Sequence, residues 1–273
     1  MDLYGDREAN AIADMVMESV TGWKKIDRII HKQVPLSMPQ SERLDNYTTE
    51  LMAGRPVQYV LQEAWFCSLK FHVDERVLIP RPETEELVEW ILREGPDPDI
   101  AEPRVVDLGT GSGCIAVALK KKWPRSLVYG YDISEPALQV ARLNATAHQT
   151  EVLFKQLDIL DPGSWQTLPE MDILVSNPPY IPLSEKQDML ANVVDFEPHQ
   201  ALFTPDHAPL VFYEAMAVGA KKKLRPGGKV FAEIHENFHS DIKELFSFLG
   251  FTDVEIRKDM QGKHRMLKAT WLL

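Results

Sequence analysis

From residue 80 onward the sequence alternates short β-branched runs with amphipathic stretches, and this restricts the fold more than any other feature. RVVDLG, SLVYGYD, EVLFKQLD, DILVSN and GGKVFAEI read as strands, because Val, Ile, Leu and aromatic residues cluster between turn signals. EELVEWILRE, CIAVALKKKW, PALQVARLNA and the stretch after Pro209 read as helices. Parallel strands need a long crossover between them, and a helix is the usual one. The succession therefore predicts an α/β domain over residues 80–273, with a mostly parallel sheet covered by helices on both faces. Towards the C-terminus KVFAEI, TDVEIRKD and RMLKATWLL add strands, with HSDIKELFSFLG a helix between the first two.

The preceding residues have a different texture. Over residues 1–62, Ile12, Met15, Val16, Ser19 and Val20 recur at helical spacing, and Trp23, Ile26, Ile29 and Ile30 extend the apolar face beyond Thr21-Gly22. Pro39 opens a further helical pattern through Leu44, Tyr47, Leu51 and Met52, with Gly54 as its stop. A small helical bundle is expected. Residues 63–79 carry aromatic and β-branched residues around a polar Asp-Glu-Arg turn, the pattern of a β-hairpin linking two domains.

Composition removes several function classes. The net charge is −11, which argues against a surface that tracks a phosphate backbone. Cys67 and Cys114 form neither a disulfide framework nor a zinc set, as suits a reducing cytoplasm. The histidines lack metal-ligand spacing, so no metal is expected, and no stretch reads as a signal peptide or membrane span.

Asp107-Leu-Gly-Thr-Gly-Ser-Gly113 follows an apolar strand and precedes a helix, where glycines let the backbone turn sharply and approach a ligand. The spacing G-x-G-x-G departs from the dinucleotide pattern G-x-G-x-x-G. Asp107 before the turn would welcome a cationic ligand and oppose a pyrophosphate. Asp132 ends the next strand, placed to accept hydrogen bonds from ribose hydroxyls. Asp158 ends the third, where it could receive an adenine amine with Ile159 beside the ring. Ribose, adenine and an amino-acid cation combine in S-adenosylmethionine.

The fourth strand stops abruptly at Asn177-Pro-Pro-Tyr180. Prolines carry no N–H and hold the residue before them extended, so the pair makes a stiff elbow beside the cofactor crevice. An amide or aromatic-amine nitrogen is a poor nucleophile because its lone pair is delocalised. The Asn177 side-chain oxygen and the Pro178 carbonyl can each accept one N–H of such a planar group. Two bonds fix the nitrogen and stabilise the positive charge that grows there on alkylation. Tyr180 offers a ring face against the planar group, and no strong general base is required.

These residues carry a resemblance. LIPRPETEELV (78–88), DLGTGSG (107–113), Asp132 and NPPYIP (177–182) are similar to the peptide chain release factor N5-glutamine methyltransferases. FEP at 196–198 with Ala201-Leu202, LRPGG at 224–228 and GRPVQYVLQEAWF at 54–66 add to the likeness. The resemblance implies a Rossmann-like, class I S-adenosylmethionine-dependent domain with a seven-stranded sheet, preceded by a helical domain that grips the protein substrate. It implies methylation of the glutamine side-chain amide in the Gly-Gly-Gln loop of release factors during translation termination. Carried over by residue, Gly109, Thr110, Gly111, Ser112, Gly113, Asp132 and Ile159 hold S-adenosylmethionine. Asn177, Pro178, Pro179 and Tyr180 hold the glutamine, with Asn177 also bordering the cofactor. Gln62, Ser68 and His235 stand where the family has glycine, which puts the local backbone at each in question.

Two other substrates suit the same pocket: a ribosomal-protein glutamine, or adenine N6 in a flipped nucleic-acid base. A non-catalytic adapter would have no use for two acceptors aimed at one nitrogen. Arg81, Glu83, Thr84 and Glu85 either line the cofactor pocket or simply start a helix at Pro82 with favourable first-turn charge. Cys114 reads as a small buried side chain, Asp259–Arg265 as a structural pair, and KKKLR at 221–225 as solvated charge closing a helix.

Overall fold

The computed structural model describes residues 4–273, so residues 1–3 of the expected helical segment lie outside it. The chain divides into two compact units. The first holds the described residues through Glu63 together with Leu190–Phe196, a later segment that no local pattern assigns to it. The second holds Ala64–Met189 and Glu197–Leu273.

The first unit contains α1 (Asp6–Thr21), α2 (Lys25–Ile30), α3 (Met38–Met52) and α4 (Val57–Leu61). Helix α3 begins as the sequence predicts, with Pro39 in its first turn and Ser37 and Gln40 bonding reciprocally across the start. Val16 and Val20 pack with Leu51, Val57, Val60 and Leu61 in the core of this unit. Ile26, Ile29 and Ile30 do not join it: they are 62%, 61% and 68% exposed. Their spacing correctly signals a helix, but α2 is only six residues long and turns that face to the surface.

The second unit opens with the hairpin β1 (Ala64–Phe66) and β2 (Leu69–Phe71). Its turn is Cys67-Ser68, not the expected Asp-Glu-Arg. Cys67 and Ser68 have φ of 49° and 62°, and positive φ at both central residues matches a two-residue turn to the twist of the strands. Asp74 instead binds Arg76 and His72 in the loop that follows.

Thereafter come α5 (Pro82–Glu94), β3 (Arg104–Leu108), α6 (Cys114–Lys122), β4 (Leu127–Asp132), α7 (Glu135–Ala147), β5 (Val152–Gln156), β6 (Met171–Ser176) and β7 (Ile181–Pro182). Helix α8 (Ala191–Phe196) belongs to the first unit. The chain ends with α9 (His199–Leu202), β8 (Phe203–Thr204), α10 (Val211–Lys223), β9 (Leu224–Glu233), α11 (His239–Phe248), β10 (Thr252–Lys258) and β11 (His264–Trp271).

Seven strands form one sheet in the order β10-β11-β9-β6-β3-β4-β5, parallel except for β11, which runs antiparallel to both neighbours. Successive side chains of each central strand point to opposite faces, and both faces are covered. Val106, Leu174 and Val230 pack with Tyr213 and Met216 of α10 and Phe246 of α11. Val105, Ile173, Val175 and Phe231 pack on the other side with Leu87, Trp90 and Ile91 of α5 and Val117 of α6. Cys114 is buried in this second layer. A Cβ at Gly219 would stand 2.1 Å from the Trp165 ring, so α10 can lie against that indole only through a glycine.

Candidate active site

Strand register builds the site. Leu108 of β3 stands abreast of Tyr131 of β4 on one side and Ser176 of β6 on the other. The next residue of each strand is therefore Gly109, Asp132 or Asn177, and the three meet at the carboxyl edge where the strand order reverses. A Cβ at Gly109 would lie 3.9 Å from the Asn177 carbonyl oxygen, so elbow and glycine turn are direct neighbours. A cavity of about 270 Å³ opens there, lined by residues from Gly109 through Ser112, Asp132, Asp158, Ile159, Thr84, Asn177, Pro178 and Pro179.

Gly109 to Ser112 of the glycine turn line the cavity. Gly109 and Gly111 have φ of 66° and 53°, a region that other residues occupy with strain. Gly113 stands behind the cavity instead of on its wall, contrary to its expected role in cofactor contact. A Cβ there would come within 3.1–3.2 Å of Ala141 and Phe154, so its glycine serves close packing of α6 against its neighbours. Asp107 also differs from expectation. It is fully buried beneath the turn and accepts a hydrogen bond from the Thr110 hydroxyl at 2.6 Å, with no wall of the cavity formed by it. Burial pushes its carboxyl up to about 7, offset in part by Thr110 and by the Ala116 N–H. Its Oδ1 has no well-formed hydrogen bond.

Asp132 is oriented by two backbone donors, Gly111 N–H to Oδ2 and Ser134 N–H to Oδ1, both at 2.9 Å. Each oxygen keeps a second lone pair for a further donor. The cap of α7 is made by Ser134, whose hydroxyl accepts from Ala137, so Asp132 is not consumed as the helix cap. Burial raises its pKa from the ordinary value, and the surrounding backbone N–H groups act against that rise. Asp158 accepts from Leu160 N–H, and Ile159 lies beside it on the wall. Trp165 Nε1 donates to the Ile159 carbonyl at 2.9 Å and fixes that stretch.

Asn177 is held through its amide nitrogen. Nδ2 donates to Thr84 Oγ1 at 3.1 Å, and Thr84 donates in turn to Glu233 Oε2 at 2.6 Å. The other Glu233 oxygen accepts from the Tyr180 hydroxyl at 2.8 Å. Glu233 is fully buried, which raises its pKa, while Thr84, Tyr180 and the Arg265 cation favour the charged form. Tyr180 is the NPPY residue outside the cavity wall. Its ring lies 5.8 Å from the Arg265 guanidinium and its hydroxyl is committed to Glu233, so it supports the elbow from behind instead of offering a face to substrate.

The PRPETE turn divides into parts. Arg81 and Thr84 line the cavity; Glu83 and Glu85 do not. Arg81 pairs with the buried Glu197, which also accepts from Ile79 N–H at 3.1 Å and so ties this turn to the FEP segment. The roles of Glu197 and Glu233 were not foreseen. For Glu233 a signal exists, since a carboxylate ends the buried apolar run Val230-Phe231-Ala232. Asp259 and Arg265 form the expected structural pair, with Arg265 Nε 3.5 Å from Asp259 Oδ2. At the three sites where glycine is absent, Gln62 and Ser68 do occupy the left-handed region, with φ of 54° and 62°. His235 does not: its φ is −71°, and its ring bonds Glu185 and Asn237.

The donor set fits S-adenosylmethionine. Two strand-end carboxylates with lone pairs to spare suit ribose hydroxyls and an exocyclic amine, the Ile159 side chain suits a ring face, and the glycine backbone admits close approach. Among the described residues no group of side chains could hold a metal ion, and no helix is long and apolar enough to cross a membrane.

Comparison with known proteins agrees with this geometry. Residues 4–61 match the PrmC N-terminal domain and residues 87–201 the methyltransferase small domain. A crystal structure of a methyltransferase from Pyrococcus furiosus shares the fold, with a TM-score of 0.56 at 18% identity over 84% of this chain and 100% of that one. A release factor glutamine methyltransferase of Flavobacterium psychrophilum is 34% identical over 98% of this chain and 94% of its own. That of Bacteroides thetaiotaomicron is 40% identical over 268 residues, 98% of this chain and 95% of its own. With cavity, register and full-length likeness in agreement, the chain belongs to the release factor glutamine methyltransferases, enzymes that use S-adenosylmethionine.

Proposed function

We propose that this enzyme methylates the side-chain amide nitrogen of the glutamine in the Gly-Gly-Gln loop of peptide chain release factors, in the cytoplasm. The observation that carries the reading is the free arm of Asn177. Its nitrogen is occupied by Thr84, and no donor among the described residues takes its Oδ1. That oxygen and the Pro178 carbonyl form a pair of acceptors at the cavity wall, suited to the two N–H groups of one carboxamide.

S-adenosylmethionine, when bound, supplies an electrophilic methyl group on a sulfonium. The protein's part is to bind and orient. Gly109, Thr110, Gly111, Ser112, Asp132 and Ile159 hold the cofactor, with Asn177 at its border. Asn177 and Pro178 hold the glutamine NH2 with its lone pair turned to the methyl group, and Pro179 stiffens the elbow. As charge grows on nitrogen, both acceptors bind it more strongly, which lowers the barrier. The N–CH3 bond would form as the S–CH3 bond breaks to leave S-adenosylhomocysteine, and the acidic methylated nitrogen would release one proton to water, so no general base is needed. The N-terminal helical unit is assigned to grip the release factor. Nucleic acid is not the direct substrate, in keeping with the net charge of −11.

The test is incubation with methyl-labelled S-adenosylmethionine and a release factor, ribosomal proteins or DNA, followed by peptide mass mapping. Label on the loop glutamine is expected. Label on DNA or on ribosomal protein alone would overturn the assignment.

A further inference from the structure

We infer that Thr84, fixed by Glu233, is a positioning residue that sets the polarity of Asn177 and so makes the site select a carboxamide over a carboxylate. The inference rests on the glutamine reading above and goes a step further, to how glutamine is told from glutamate.

One proton decides the orientation of Asn177. Both Glu233 carboxyl oxygens accept: Oε2 takes a hydrogen bond from Thr84 at 2.6 Å and Oε1 one from Tyr180 at 2.8 Å. A threonine hydroxyl has a single proton. Once that proton points at Glu233, the Thr84 oxygen can only accept from its other neighbour. The Asn177 group 3.1 Å away must therefore be the NH2 end of the amide. Asn177 cannot turn over without setting its oxygen against an oxygen that has no proton to offer. Its Oδ1 is thereby held as an acceptor at the cavity.

Selectivity follows. A carboxamide brings two donors to the pair formed by Asn177 Oδ1 and the Pro178 carbonyl. A carboxylate brings only acceptors, so both contacts become repulsive. Were the amide reversed, its NH2 would greet glutamate instead.

Burial supports the assignment. Thr84 is 3% exposed and Glu233 1%, so water does not replace either partner, and an unpaired group there is costly. Tyr180 occupies the second Glu233 oxygen, and Arg265 supplies a positive charge beyond it. The whole chain of contacts runs from a buried charge to a single amide.

The experiment compares wild type with Thr84→Val, which keeps the shape but removes the hydroxyl, and Thr84→Ser, which restores it. Affinity is measured, with S-adenosylhomocysteine present, for a full-length release factor carrying its loop glutamine and for one with glutamate there. Wild type is expected to prefer glutamine by about 10-fold or more, Thr84→Ser to keep that ratio, and Thr84→Val to reduce it to within about 3-fold. Turnover of Thr84→Val on the glutamine form should fall roughly 10- to 100-fold while S-adenosylmethionine affinity stays within about 3-fold, which reports an intact fold. Preserved selectivity in Thr84→Val, or equal loss in Thr84→Ser, would overturn the positioning role. Failure of wild type to methylate the glutamine would instead remove the underlying function, and the inference with it.

Discussion

Ser176 donates its hydroxyl proton to the Leu108 carbonyl at 2.7 Å, at the last rung of the parallel ladder between β6 and β3. This bond pins the elbow to the glycine turn one residue before both strands leave the sheet. The proposed cofactor and amide sites thus share one rigid edge and meet at Asn177, while Asp132 is assigned to the cofactor alone.

That separation is testable. Asn177→Ala should lower kcat about 100-fold or more, by removing one of two acceptors that tighten in the transition state. Its dissociation constant for S-adenosylmethionine should stay within a few-fold. Asp132→Ala should show the converse in calorimetry, with cofactor affinity weakened roughly 10- to 100-fold by loss of charge-assisted bonds to ribose. Unchanged cofactor binding in Asp132→Ala would refute its assignment.

Asp107 predicts a pH dependence of stability. Its folded pKa is raised to about 7 by burial. A raised value means the folded state holds the proton more tightly, so stability is fully present below the unfolded pKa and is lost as pH rises through the folded one. Between about pH 4 and 7 the slope from this single group approaches about 1.4 kcal/mol per pH unit. Asp107→Asn should flatten urea-derived stability over that window in the cofactor-free protein. Curves that stay parallel for the two proteins would count against the assignment.

The Cys67-Ser68 turn predicts a gain. Ser68 has φ of 62° at the second centre of a two-residue hairpin loop, where glycine fits best. Ser68→Gly relieves left-handed strain at some cost in unfolded-state entropy, for a net stabilisation of about 0.5 kcal/mol. A denaturation midpoint that falls would contradict this.

Gly219→Ala should destabilise by about 1–3 kcal/mol, because its methyl group meets a rigid indole and not a flexible chain end. Displacing Trp165 also slackens its bond to the Ile159 carbonyl, so cofactor affinity should drop together with the thermal midpoint. Stability loss with unchanged affinity would show that Ile159 is held by other means.

The sheet is readable because its central strands carry uninterrupted apolar runs, Val105-Val106, Ile173-Leu174-Val175 and Val230-Phe231-Ala232, as a sheet covered on both faces requires. NPPY and the glycine turn were readable because proline and glycine restrict the backbone in ways few other sequences do. Gly113 and Tyr180 were misplaced for one reason: spacing along the chain does not say which side of a turn faces a ligand. Composition points the hairpin turn to Asp74-Glu75-Arg76, whereas the chain turns through Cys67 and Ser68, neither of which usually takes the positive φ that this turn requires. Thr84 and Glu233 lie 149 residues apart, and no local pattern announces such a bond.

That distance has a consequence for synthesis. A chain leaving the ribosome completes its glycine turn, Asp132 and the NPPY elbow well before Glu233 emerges. Until β9 docks beside β6, the threonine proton has no fixed destination, and the elbow's amide is free to present either end. The bond that orients the elbow's amide therefore comes into being only when β9 takes its place in the sheet.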